Sequence, residues 1–137
     1  MVTEKTMRFT NKNLDLDRFS QRIVDDLDKE GFATQKSKGP NGIVIQAQKE
    51  NLLRDLVTAE RCFTILVSGR PDDLTVRVGI GKWAQNLAVA VVEAVLTGGL
   101  FLVVDLPEMA WNSHLQYDIM DDISGIAEGR PLAKAVS

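Results

Sequence analysis

Apolar residues recur along this chain with two different periods. Between Leu14 and Glu30, Leu16, Phe19, Ile23 and Leu27 fall at helical spacing, while Asp17, Arg18, Arg22, Asp25, Asp26 and Lys29 take the opposite side. This predicts an amphipathic helix. Asn13 or Asp15 is placed to cap its start, and Gly31 suits the left-handed residue that ends it. On the polar side, Arg22 with Asp26 and Asp25 with Lys29 stand four apart and are expected to pair. Before the helix, Met7-Arg8-Phe9-Thr10 reads as a short extended segment behind a polar tail.

After Gly31 the period drops to two. Phe32–Lys38 and Gly42–Lys49 are predicted strands joined by Gly39-Pro40-Asn41-Gly42, whose proline and glycines favour a tight turn. Ile43, Ile45 and Ala47 share one face of the second strand, and Val44, Gln46 and Gln48 the other. Cys62–Ser68 and Leu74–Gly81 form a second predicted hairpin through Gly69-Arg70-Pro71-Asp72-Asp73. Phe63, Ile65 and Val67 alternate in its first strand, and Leu74, Val76, Val78 and Ile80 in its second. Such alternation describes an antiparallel sheet with one buried face. Between the hairpins, Leu52, Leu53, Leu56 and Val57 are spaced for a short amphipathic helix.

Beyond Gly81 runs a long apolar stretch, Leu87 to Leu106, interrupted by Pro107. A last helix is predicted over Asn112 to Glu128, with Leu115, Ile119, Ile123 and Ile126 on one stripe and Gly129, Arg130 and Pro131 as its stop. Together these elements predict one α+β domain over residues 1–128 and a mobile tail over 129–137. The expected architecture is a four-stranded antiparallel sheet covered on one face by the first helix and a long apolar C-terminal helix.

Three stretches resemble a group of uncharacterised bacterial proteins: Gly42-Ile43-Val44-Ile45-Gln46-Ala47-Gln48-Lys49, the junction Val78-Gly79-Ile80-Gly81-Lys82-Trp83, and the apolar segment that follows. The resemblance extends over about residues 7–127. Members of that group are sometimes fused to zinc-ribbon or oligomerisation segments. This chain has no zinc ligands to match such a fusion, and it carries Asn51 and Asp55 where the group is more basic. The resemblance implies the extent of a domain and no activity.

Composition narrows the function classes. The 137 residues include 16 Lys and Arg against 19 Asp and Glu, a net charge of −3, which gives no reason to expect a nucleic-acid partner. The lone Cys62 excludes an internal disulfide or a multi-cysteine zinc site, and with a polar N-terminus it suggests the cytoplasm. Leu87–Leu106 is the one membrane-like stretch. Its Leu, Val and Phe residues favour insertion by about 4–7 kcal/mol, and a central acid such as Glu93 opposes it by about 2.5–3.5 kcal/mol. Membrane association is therefore open but less favoured than a helix buried on most sides.

No motif predicts an enzyme or a cofactor. Gly79-Ile80-Gly81-Lys82 lacks the glycine spacing and the hydroxyl of a phosphate loop and reads as a strand-to-helix turn clamped by Trp83. His114, the only histidine, shares a helix face with Asp118 but has no nucleophile beside it. Cys62 lies next to Arg61, which would lower its pKa, although a free cysteine is more often a small buried hydrophobe. Asp118, Asp121 and Asp122, with Glu108 upstream, form an acidic set expected to be solvated.

Glu93 is the most informative polar residue. Inside an apolar helix it marks an exposed stripe with Asn86 and Thr97, or needs a partner such as Lys82 or Arg77. Val89, Val92, Leu96, Leu100 and Val103 then lie on faces too broad for one sheet contact. The expected function is a non-enzymatic interaction module that self-associates through this segment, a dimer being favoured, with Gly98 and Gly99 permitting close approach. Another protein could supply the cover instead. Two alternatives are an apolar-ligand pocket between sheet and long helix, anchored by Glu93 or Arg77, and a peripheral membrane protein.

Overall fold

A computed structural model describes residues 5–39, 42–48, 61–89 and 112–128. The elements are β1 (Lys5–Thr10), α1 (Leu16–Lys29), β2 (Ala33–Gly39), β3 (Gly42–Gln48), β4 (Arg61–Arg70), β5 (Asp73–Lys82) and α2 (Asn112–Ala127). The fold is α+β, as expected, but the sheet has five strands in the order β1-β5-β4-β3-β2. The segment around Met7–Thr10 is a full edge strand, antiparallel to β5, with Lys5 opposite Val78 and Thr10 opposite Asp73. Strands β2 to β5 follow one another as an antiparallel meander.

The helix α1 forms where the spacing placed it. Asp15 caps it, its side chain accepting from the N–H groups of Asp17 (2.9 Å) and Arg18 (3.3 Å). Gly31, at φ 94°, turns the chain out of the helix. β1 and β2 occupy opposite edges of the sheet, so α1 must carry the chain across it. Fourteen residues span about 21 Å, close to the ~19 Å width of five strands.

The main core lies between one face of the sheet and the two helices. Ile43, Ile45, Ala47, Phe63, Ile65, Val67, Leu74, Val76 and Val78 supply the sheet side. Phe19, Ile23 and Leu27 come from α1, and Ile119, Ile123 and Ile126 from α2. Phe9 on the β1 edge meets Phe19 edge to face at 6.1 Å, and Phe32 meets Phe63 in the same way at 6.0 Å. On the other edge, β2 turns Thr34, Lys36 and Lys38 toward α1, where they bond Asp28, Gln21 and Asp17 at 2.7, 2.8 and 3.3 Å.

Three expectations are corrected here. The helix that joins α1 over the core is α2, whereas the start of the apolar segment lies on the other side: Leu87 packs with Val44 and Leu66 in a separate small cluster. The sheet is buried on both faces in its middle, since every residue from Ile43 to Ala47 and from Cys62 to Val67 is buried. Asp26, expected on the polar side of α1, is only 5% exposed, because α2 packs along that flank. The predicted helix over Leu52–Val57, the Pro107 break and the 129–137 tail lie outside the described residues.

Candidate polar network on the second sheet face

Antiparallel pairing stacks residues of like parity across the strands. On the face away from α1 and α2, one row runs Gln35, Gln46, Thr64, Gly79, and the next contains Cys62 and Gly81. Gln46 is 2% exposed, and Thr64 and Cys62 are fully buried. Buried polar groups need partners, and these have them. Gln46 Nε2 donates to Thr64 Oγ1 at 3.3 Å. Thr64 Oγ1 lies 3.6 Å from Cys62 Sγ, which donates to the Gly81 carbonyl at 3.7 Å.

The same row grips the chain that leaves β5. Ala84 N–H donates to Gln46 Oε1 at 2.9 Å, and Gln35 Nε2 donates to the Ala84 carbonyl at 3.0 Å. Gln35 Nε2 also reaches Gln46 Oε1 at 2.7 Å. Both backbone polar groups of Ala84 are therefore held by glutamine side chains. Three residues on, Leu87 lies against Val44 and Leu66. Asn86 accepts from Val89 N–H at 3.4 Å, in the manner of a helix cap, and Leu87–Val89 are helical.

Gly79 to Lys82 belong to β5 and pair with β4, so the expected strand-to-helix turn is a strand end instead. The glycines stand opposite Thr64 and Cys62, which explains small residues there without a phosphate ligand. Burial pushes the Cys62 thiol up to about 12, overriding the lowering by its contact with Thr64. A thiol so protonated at neutral pH is a poor nucleophile.

The residues singled out from the sequence are divided. Val89 is 52% exposed, the one exposed large hydrophobic among the described residues. Arg77 is half-buried on the second face, opposite Leu66. Val92, Glu93, Leu96, Leu100 and Val103 lie outside the described residues, as does Glu108. The His114 backbone is in α2, and its side chain is outside the described set. In the acidic set, Asp118 and Asp121 are exposed, while half-buried Asp122 turns toward α1. There its carboxylate comes within 4.8 Å of those of Asp26 and Glu30. None of the three lacks a partner, and only proximity gives them the look of a cation site.

Gln35 and Thr64 carry no functional motif in the sequence, and Gln46 reads there only as one face of a strand. A signal was present: Val44 and Leu66 are apolar on the same face, so that face had to be covered, and Gln46 between them had to be satisfied. The meeting of Asp26 and Glu30 with Asp122 had no local signal, since it joins elements far apart in the chain. Among the described residues, no helix is long and apolar enough to cross a membrane. No protein-family model, curated protein or solved structure matches this chain.

Proposed function

We propose that this chain is a non-enzymatic interaction module that pairs with a second copy of itself through the apolar segment beginning at Leu87. The observation that carries the reading is the opposite fate of two neighbours: Leu87 is buried on the sheet, and Val89 is turned out to solvent. Residues two apart on a helix point about 200° apart, so this start sets which side faces away. Extended at the helical spacing of the sequence, Val92, Leu96, Leu100 and Val103 fall within about 60° of Val89. At the same spacing Asn86, Glu93 and Thr97 fall along one edge of that stripe as a polar border. A broad apolar stripe edged by polar residues is the usual form of a protein contact. Symmetry makes a twofold pair the simplest closed arrangement.

Light scattering on the purified protein tests this. A dimer is expected at micromolar concentration, and Val89→Asp combined with Leu96→Asp is expected to give monomers with an unchanged urea midpoint. A monomeric wild-type protein at that concentration overturns the proposal.

The position of Arg77 favours one second reading. It lies on the same face as Leu87, beside Leu66, where it could anchor the polar end of an apolar ligand held under the segment. Native mass spectrometry of the purified protein checks this: a bound small molecule lost in Arg77→Ala supports it, and a bare chain mass removes it.

A further inference from the structure

We infer that Trp83–Val89 is a strap that lifts from the second sheet face as a unit, hinged at the end of β5, while the five-stranded sheet stays folded. Among the described residues, the attachment points are few and close together. Ala84 is held by its own N–H to Gln46 and by its carbonyl to Gln35, and Leu87 is the strap's one buried apolar side chain among the described residues. Trp83 and Ala84 are half-buried, and Gln85, Asn86, Ala88 and Val89 are exposed. Among the described residues, the apolar cluster on the opposite face has nineteen buried members against three here. Free energies of local opening follow that difference in burial, so the strap separates before the core does.

The polar ladder makes the lifted state tolerable. When Ala84 leaves, Gln35 Nε2 still reaches Gln46 Oε1, and Gln46 Nε2 still donates to Thr64. The amide of Gln46 therefore keeps partners inside the sheet in both states, and water satisfies Ala84. A wholly apolar seat would have exposed hydrocarbon alone, whereas this one exposes amide groups beside Val44 and Leu66. The strap sets the direction in which the chain leaves the sheet at Val89, so lifting it changes that direction. The strap lifts no matter what the chain beyond Val89 binds.

Amide hydrogen exchange followed by NMR, on the full chain, tests it. In the wild-type protein the Ala84 and Val89 amides are expected to be at least tenfold less protected than those of Ile65 and Val67 in β4. Gln35→Ala removes the bond to the Ala84 carbonyl from an edge position, and is expected to lower Ala84 protection about fivefold while leaving β4 unchanged. Leu87→Ala is expected to lower both strap amides by more than tenfold. Equal protection of Ala84 and Ile65 in the wild type overturns the inference, as does a uniform loss across strap and β4 in Gln35→Ala. Because exchange is read on the strap itself, a monomeric protein with a lifting strap refutes self-association alone.

Discussion

Gln46 donates its side-chain amide to the hydroxyl of Thr64 at 3.3 Å, in the buried centre of the sheet. The pair is locked by geometry, because the two residues stand directly opposite each other on β3 and β4. Replacing Thr64 with valine keeps the shape and removes the acceptor. The expected cost is about 1–3 kcal/mol, the penalty for leaving a buried donor without that partner. Adding Gln46→Leu to Thr64→Val should cost less than the two single changes summed. Urea denaturation of the four proteins measures the coupling, and strict additivity would show that the bond contributes nothing.

Gly69 sits near the end of β4 at φ 104°, and a Cβ built there would stand 2.4 Å from the Asp73 carbonyl oxygen. Backbone and space both demand glycine. Gly69→Ala is expected to destabilise the protein by about 1–3 kcal/mol, seen as a lower thermal midpoint. A change below half a kcal/mol in the fitted stability would mean that the hairpin end relaxes freely.

Cys62 gives a pH prediction with a definite sign. Its thiol stays protonated in the fold up to about 12, while in the unfolded chain it ionises near its ordinary value of 9.0. The unfolded state therefore loses the proton first. Stability from this group is complete below pH 9 and falls as pH rises toward 12, at about 1.4 kcal/mol per pH unit. Urea midpoints measured from pH 8 to 10.5 should fall more steeply for the wild type than for Cys62→Ala. Parallel curves would show that the thiol is more accessible than its burial indicates.

Arg8 clasps Asp73 across the β1 edge, Nε to Oδ1 and Nη2 to Oδ2, each at 2.8 Å. The guanidinium bond holds the Asp73 carboxyl below its usual range. In Arg8→Ala the Asp73 pKa should move up toward the ordinary carboxylate value, as followed by NMR titration. An unmoved titration would place the controlling charge elsewhere, Arg70 being the other contributor. The pair is solvent-exposed, so little change in stability is expected.

Local pattern made some of this architecture readable and left other parts silent. The cap at Asp15, the exit at Gly31 and the meander from β2 to β5 follow from signals a few residues wide. β1 was legible only as an extended segment, because its partner β5 lies more than sixty residues away and nothing near Met7 names it. The second sheet face was misread for a different reason. Gln46 and Gln48 suggest a solvent-facing side, and the opposing signal, apolar Val44 and Leu66 on the same face, emerges only once β3 is paired with β4. Likewise α2 and the apolar segment both offered an apolar stripe, and hydrophobicity alone did not tell which would lie beside α1. The core helix turned out to be α2, whose Ile119, Ile123 and Ile126 make a narrower seam between flanks that stay partly open to solvent.

The pairing of β1 with β5 also dictates an order of events during synthesis. β1 leaves the ribosome before its partner, and Lys5 finds Val78 only after 73 more residues have been made. At about 5–20 residues per second, that wait lasts several seconds. Through that interval Phe9 and the apolar side of α1 have no completed sheet to rest on. The newborn chain thus shows apolar surface well before the strands that cover it exist, and a chaperone or a neighbouring nascent chain would find a hold on Phe9 and the inner side of α1.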